Sequence, residues 1–545
     1  MRVMIEISDT TLRDGGQAEG ITFSVSDKIQ IIQALDELGI RWIEVGTPGA
    51  NPLDQQVFQL LKSAPPLRQA SLQAFGPTCR PGQIASEDDG LKILAECGAD
   101  TVTLFGKSNI TVVEHVLRCS PEENLRIIQD SISFLTRHGI CVWFDAEHFF
   151  DGYRINAQYA LRTLQTAAAG GAKRIILCDT RGGALPHEIS EAVRAVKAII
   201  DLPLGIHAHN DCGLAAANTL SAVSSGCDLV QGTIGGIGER CGNADLCTVI
   251  PVLSLKMHES CLPDGHLPRL THLSRRMMEI MNIVPNERSP FIGNSAFAHK
   301  AGVHIDGIIK DPDSYEQVNP ESVGNQRRFL LSDQVGRAGV YARLGRMLPD
   351  LNRNSEEILL VMQKVKEMEA AGYTYENADS SFELLALDTL GRRPHYFEVA
   401  DYHVLCQGSH GKEENWPTAQ AYLKIRVNDQ EGINAAEGEG PVNALDNALR
   451  KTLSQFYPSV KRMSLQDFKV RVLNAKGTAS LVRVSIESSD GDHIWNTVGV
   501  SENIIEACLK ALTDSVDYML TRFVSREEIS RVLHIPGRKE PSLSL

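Results

Sequence analysis

The chain has no C-x-x-C pair among its twelve cysteines, no basic excess and no long uninterrupted apolar run. Each absence removes a class of protein. Cysteines scattered through 545 residues argue against a disulfide framework and against a structural zinc site, and they predict a reduced, cytosolic setting. A formal net charge of −14 speaks against general nucleic-acid binding, because a surface that tracks phosphates carries a basic excess. A locally positive site for a small anionic substrate is compatible with it. The opening "MRVMIEISDTTL" reaches acidic residues at once, so neither a signal peptide nor a membrane span is expected. What is present is ordinary for a globular protein: 43% hydrophobic and 22% charged residues, in a length that predicts several domains of roughly 100–200 residues each.

Over the first 260 or so residues, short apolar runs alternate with amphipathic stretches about every thirty residues. "VMIEIS" precedes "SDKIQIIQALDELG", "RWIEVG" precedes "PLDQQVFQLLKS", and six further pairs end with "DLVQGT" and "NADLCTVIPVLSLKM". The runs are nearly all apolar, as in a parallel sheet covered on both faces. Ser, Asp or Asn opens several of the helices and Gly closes them. Eight such units predict a (β/α)8 barrel, whose chemistry belongs at the C-terminal ends of its strands.

The residues that follow those strands are chemically dense. Asp9, Arg13 and Asp14 follow the first, Glu147 and His148 the fifth, Asp179 and Thr180 the sixth, and "HAHND" closes the seventh. His207 and His209 are two apart, and side chains at i and i+2 of a strand share a face. Two imidazoles projecting into a barrel mouth make half of a metal site, to which Asp14 adds a carboxylate. Mixed nitrogen and oxygen ligands suit Mg, Mn or Zn as divalent ions. Asn243 is either a fourth ligand or the N-cap of the last barrel helix. The glycine-rich "GGIGERCG" follows the eighth strand, not the first, so it is not read as a dinucleotide loop. Its glycines are expected to let backbone pass close to a ligand, with Glu239 and Arg240 pairing locally and Cys241 a bystander.

"DTTLRDG", "HAHNDCGLAAANTL" and "GTIGGIGERCGNADL" closely resemble the signature segments of the DRE-TIM metallolyases, within them the 2-isopropylmalate, homocitrate and citramalate synthases. "FAHKAGVHIDGIIKDPDSYEQVNPESVG" is similar to the connecting subdomain that reaches over the partner's site, and "AAEGEGPVNALDNALRK" with "VSENIIEACLKAL" to the regulatory domain. "AEGITFSVSDKI" and "FDAEHFFDGY" resemble the citramalate branch; "AGVHIDGI" is closer to the homocitrate synthases, and "DTRGG" replaces the usual "DTNGG", putting Arg181 near the rim or into solvent. The resemblance implies condensation of acetyl-CoA with a 2-keto acid, here pyruvate, followed by thioester hydrolysis. The alternative acceptors are 2-ketoisovalerate and 2-ketoglutarate. It implies a divalent metal, for which the residues above offer Asp14, His207 and His209 with Asn243 as the weaker fourth candidate, and it places Arg13 over the same substrate oxygens and Thr180 in a hydrogen bond to the keto acid. Glu147, His304 and Tyr315 are the candidates for the base, unranked; Glu147 could instead orient a metal ligand, and Tyr315 could be a packed aromatic.

Three further regions are expected after a catalytic barrel at 1–262: connecting subdomains at 263–378, an α+β regulatory and dimerisation domain at 379–525, and a tail at 526–545. "LPDGHLPRLTHL" reads as the exit linker. In the C-terminal domain two helices, "VNALDNALRK" and "ENIIEACLKA", each follow a pair of strands, with Asn443 and Asn503 at equivalent helix starts. By resemblance this pseudo-symmetric module forms a homodimer and binds isoleucine, or serves dimerisation alone.

Overall fold

Eight parallel strands close in sequence order into a barrel: β1 (Glu6–Asp9), β2 (Trp42–Gly46), β3 (Ser71–Pro77), β4 (Thr101–Lys107), β5 (Cys141–Glu147), β6 (Arg174–Asp179), β7 (Leu204–Ala208) and β8 (Leu229–Gly232), with β8 pairing back onto β1. The structure is a computed structural model that describes residues 4–330, 337–345, 348, 351–352, 355–376, 378–406, 419–473 and 480–533. The helices between strands are α1 (Val25–Leu38), α2 (Pro52–Ser63), α3 (Asp89–Glu96), α4 (Pro121–Arg137), α5 (Phe149–Gly170), α6 (Pro186–Lys197), α7 (Ala215–Ser224) and α8 (Leu246–Pro251).

Local chemistry sets these bounds. Ser24 and Asp27 form a reciprocal capping box at the start of α1, which ends on Gly39 at φ 94°. Asn51 and Ser120 cap α2 and α4. In α5 the backbone breaks from helical geometry at Asn156, whose side chain accepts from the Tyr159 N–H, so the amphipathic stretch from residue 156 starts on its own cap behind about two extra turns. Outside the strands, Ile31, Leu35, Ile128, Leu164, Val193 and Val249 are among the buried residues of one continuous apolar layer.

Inside the barrel the expectation of nearly all-apolar strands fails. Ser8, Glu44, Gln73, Thr103, Asp145 and Gln231 are all buried. The Ser8 hydroxyl donates to Gln73 Oε1 at 2.6 Å, although β1 and β3 are not neighbours, so the bond crosses the interior. By strand alternation Glu44 shares the inner face with Trp42, Gln73 with Phe75, and Asp145 with Trp143 and Glu147. These columns lead up to the C-terminal rim.

Two compact units divide the chain, Met1–Phe297 with Glu316–Arg327, and Ala298–Tyr315 with Arg328–Leu545. The first does not stop at residue 262. The expected linker is packed: Leu262 and Leu270 are buried, the His266 ring lies 3.1 Å from the Leu38 carbonyl, and a further helix, Leu270–Ile280, follows.

In the second unit, the helix Gly302–Lys310 and the helix Glu356–Ala370, which is followed by Gly372 at φ 99°, precede two three-stranded antiparallel sheets. Each half is βββα, not ββα: Glu398–Cys406, Ala419–Val427 and Gln430–Gly438 precede the helix Pro441–Leu453, and Ser464–Val472, Val482–Ser489 and Ile494–Ser501 precede Ile504–Arg522. The helix starts are not equivalent. Asn503 is a true N-cap that accepts from Ile505 N–H, whereas Gly440 occupies that place in the first half and Asn443 lies inside the first turn. The expected tail begins as a helix, Arg526–Leu533, anchored where Glu528 accepts from the Ser459 amide and hydroxyl. "GRKEPSLSL" lies outside the described residues.

Candidate active site

The loop after β1 is built on Asp9, whose carboxylate accepts from the Thr11 amide and hydroxyl, both at 2.9 Å. Burial pushes that carboxyl up to about 7 against those bonds. The Thr11 hydroxyl in turn accepts from the Ile234 N–H, tying the first loop to the last. This frame presents Arg13 and Asp14 inward. Arg13 Nε donates to Glu44 Oε1 at 2.6 Å, Nη1 lies 3.1 Å from Asp14 Oδ2, and the guanidinium carbon sits 3.9 Å above the Phe75 ring. Phe75 stacks on Phe105, the Lys107 ammonium lies over Phe105, and Lys107 pairs with Glu147. One wall therefore runs from Arg13 to Glu147. A cavity of about 500 Å³ beside it is lined by Gly76, Arg80, Phe105 and Lys107 among others.

The two histidines meet Arg13 at Asp14, whose Oδ2 both Arg13 and His207 approach. Asp14 Oδ2 is 3.3 Å from His207 Nε2, which is 3.3 Å from His209 Nε2, and one candidate ligand atom from each of the three residues lies within 4.8 Å of the others. Burial alone would raise the Asp14 carboxyl, but Arg13 and both imidazoles outweigh it and hold it well below the usual carboxylate range. Burial and the neighbouring His207 pull His209 down to about 4, while His207 is held above its ordinary value by Asp14 in spite of its own burial.

The donor set fits a divalent cation. Asp14 Oδ1, Asn243 Oδ1 and the Nδ1 atoms of both histidines are buried without hydrogen-bond partners, a costly state for so many polar atoms in one place. Two nitrogens each about 2.1 Å from one ion stand roughly 3.0–3.4 Å apart, the separation found here. Asn243 bridges to His209 across the β7 loop and is not the N-cap of α8; Asp245 fills that role, accepting from Cys247 N–H.

The glycines of the last loop admit backbone and side chains to one another. A Cβ on Gly242 (φ 84°) would fall 1.9 Å from the Gly236 carbonyl oxygen, and one on Gly238 would meet Asn243 Nδ2 at 2.3 Å and Asp14 Oδ1 at 3.3 Å. Arg240 pairs with Glu239 at 3.3 Å, as expected, and more closely with Asp211, at 2.7 and 2.9 Å, and it donates to the Thr180 carbonyl. Cys241 is exposed.

Comparison with known proteins decides the family. An HMGL-like family matches residues 4–274, the homocitrate synthase post-HMGL domain-like family residues 291–372, and the LeuA allosteric (dimerisation) domain residues 376–520. An (R)-citramalate synthase of Geobacter sulfurreducens is 48% identical, with 95% of this chain and 98% of the relative covered. One from Aquifex aeolicus is 45% identical over 96% and 99%. The chain belongs to the citramalate synthase family. Among solved structures, a Bacillus subtilis HMG-CoA lyase is similar at 20% identity and a TM-score of 0.45, covering 53% of this chain and 97% of that one.

Within this family member, Arg13, Asp14, His207, His209 and Asn243 meet at one buried point. Thr180 lies on the same rim, its hydroxyl accepting from the His148 N–H at 2.8 Å. Glu147 is held by Lys107, with the His148 ring 3.9 Å away, and among the described residues its carboxylate is not hydrogen-bonded to a candidate metal ligand. Arg181 is 70% exposed and 3.8 Å from Asp151, so of the two readings it takes the solvent. His304 and Tyr315 belong to the second unit, where their rings stack at 4.3 Å and both are exposed; Tyr315 is no interior aromatic. Glu44, Asp145 and Lys107 went unread in the sequence. The signal was there: a carboxylate inside an otherwise apolar barrel strand has to be paired or to serve a site.

Proposed function

We propose that the chain is an (R)-citramalate synthase that condenses acetyl-CoA with pyruvate and hydrolyses the thioester to give citramalate and CoA, on the route to isoleucine. The observation that carries this is the meeting of an arginine with a buried, partly unpartnered Asp–His–His set on the barrel rim, in a chain 48% identical to a named (R)-citramalate synthase. Mg, Mn or Zn held by Asp14, His207, His209 and Asn243 would polarise the keto oxygen and carboxylate of the acceptor.

The side chains account for the remaining work. Arg13 directs its guanidinium at the acceptor carbonyl, where negative charge develops as the new carbon–carbon bond forms. Thr180, whose hydroxyl oxygen already accepts from His148, keeps its own proton for donation to the acceptor carboxylate. Glu147 removes a methyl proton from acetyl-CoA, whose thioester arm lies along the cavity beside Lys107. The exposed His304 and Tyr315 serve the opposite active site of a homodimer, in proton transfer to the new alkoxide. The regions 263–378 and 379–525 act as connecting and isoleucine-sensing parts, and the protein works in the cytoplasm. No helix among the described residues is long and apolar enough to cross a membrane.

The test is thiol release from acetyl-CoA with pyruvate, 2-ketoisovalerate and 2-ketoglutarate in parallel. Pyruvate should give the highest kcat/KM. Preference for either other acid would move the chain to a sister activity, and no release with any of them would sink the synthase reading.

A further inference from the structure

Beside the Arg13–Glu44 pair a second charged pair is buried that the chemistry above does not use. Lys28, on α1, is 4% exposed, and Asp54, in the first turn of α2, is 3% exposed. The Lys28 ammonium donates to three acceptors: the Leu12 carbonyl at 3.0 Å, the Val45 carbonyl at 2.7 Å and Asp54 Oδ1 at 2.6 Å. That uses all of its protons. Asp54 Oδ2 accepts in turn from the Thr47 N–H at 2.8 Å, and it approaches the chain so closely that a Cβ on Gly46 would lie 2.2 Å from it.

The positions of the two carbonyls matter. Leu12 immediately precedes Arg13, and Val45 immediately follows Glu44, the residue to which Arg13 Nε donates. Backbone and side chains thus form a closed ring from Leu12 through Arg13, Glu44 and Val45 to Lys28 and back. One ammonium sets the spacing between the first loop and the end of β2, and with it the direction of the guanidinium. Packing does not do this by itself, because a cavity of about 370 Å³ lies against the same residues, lined by Leu12, Arg13, Lys28, Gly46 and Asp54 among others. A helix lysine that merely stabilised the barrel would not need the loop carbonyl of Leu12 and the strand carbonyl of Val45, which flank the Arg13–Glu44 pair.

We propose that Lys28, held by Asp54, is a positioning residue that fixes Arg13 against the acceptor carbonyl through the Leu12 and Val45 carbonyls. The proposal rests on the synthase reading. A misdirected guanidinium costs transition-state stabilisation while leaving the metal ligands in place.

The test is a double-mutant cycle in the full-length protein, loaded with whichever of Mg, Mn and Zn gives the highest wild-type turnover, read as pyruvate-dependent thiol release. Lys28→Met with Asp54→Leu replaces the buried pair by apolar side chains of similar size, an exchange that buried ion pairs often tolerate without loss of stability. In the wild-type background kcat should fall about 30-fold; in the Arg13→Lys background the same change should cost less than about 3-fold, since the group being positioned is gone. A purely structural loss lowers the active fraction by the same factor in both backgrounds. Equal factors, or no effect in either, overturn the proposal. Asp54→Asn, which keeps an acceptor for Lys28, is run through the same cycle and should show the same asymmetry at a few-fold; it decides the matter if the double variant does not fold. An inactive wild type indicts the synthase reading, whereas an active wild type with equal factors indicts the clamp alone.

Discussion

At each end of the barrel interior an arginine lies over an aromatic ring between two carboxylates. At the N-terminal end Arg174 pairs with Glu6 and Asp228, its guanidinium carbon 4.7 Å from the Trp143 ring centre. At the C-terminal end Arg13 pairs with Glu44 and Asp14 over Phe75. The difference lies in what surrounds them. The Glu6 and Asp228 side chains are 28% and 29% exposed and water-accessible, whereas those of Glu44 and Asp14 are 0% and 2%. Around Arg174 the buried polar atoms without a partner include its own Nε and the Trp42 Nε1 beside Trp143; around Arg13 they include Asp14 Oδ1, Glu44 Oε2, Asp145 Oδ1, both histidine Nδ1 atoms and Asn243 Oδ1. The same device closes the barrel floor at one end. At the other, its unmet valences are what a cation and an acceptor acid would satisfy.

The comparison breaks if the two ends respond alike to mutation. The largest effect is expected from Asp14→Ala, which should reduce kcat at least about 10³-fold and abolish metal uptake measured by elemental analysis. Retained metal stoichiometry would contradict the ligand assignment. Arg174→Met should do the reverse, costing about 2–3 kcal/mol of thermal stability, a figure discounted for the exposure of both carboxylates, while kcat stays within about twofold. A large fall in kcat at unchanged stability would erase the distinction between the ends.

The smallest effect sharpens the electrostatics. Burial, then repulsion from Glu44, pushes Asp145 up to about 7, above the unfolded value of about 3.9. The folded protein thus holds this proton more tightly than the unfolded chain does, and the cost of ionising it grows as pH rises from about 4 to about 7. In metal-free protein Asp145→Asn should leave the melting temperature unchanged at pH 4 and raise it at pH 8, by about 1–2 kcal/mol in stability, since an amide there is still buried. Equal shifts at both pH values would show that the carboxyl is not the source.

The barrel was legible because its strands are short apolar runs bounded by caps, and the metal corner because H-x-H at a strand end and "TLRDGG" bring ligand types to one rim. Glu44 and Lys28 were hidden for opposite reasons. Glu44 sits in "RWIEVG", where one acidic residue does not disturb an apolar run; Lys28 sits in "SDKIQII", where a lysine in the first turn of an amphipathic helix reads as solvated. Neither pairing can be inferred without knowing which strand ends meet. The C-terminal strand count failed on physics too: Gln430–Gly438, "QEGINAAEG", has two glycines and little apolar alternation, and it is made a strand by pairing with Ala419–Val427. Propensity alone does not make it one.

The most direct measurement is pyruvate-dependent CoA release by protein stripped with chelator and then reloaded with Mg, Mn or Zn, with Asp14→Ala alongside. The account predicts that stripping abolishes release, that at least one of the three ions restores it in the wild type with citramalate as the product, and that none restores it in the variant. Release that survives stripping, or that Asp14→Ala shares, would contradict it.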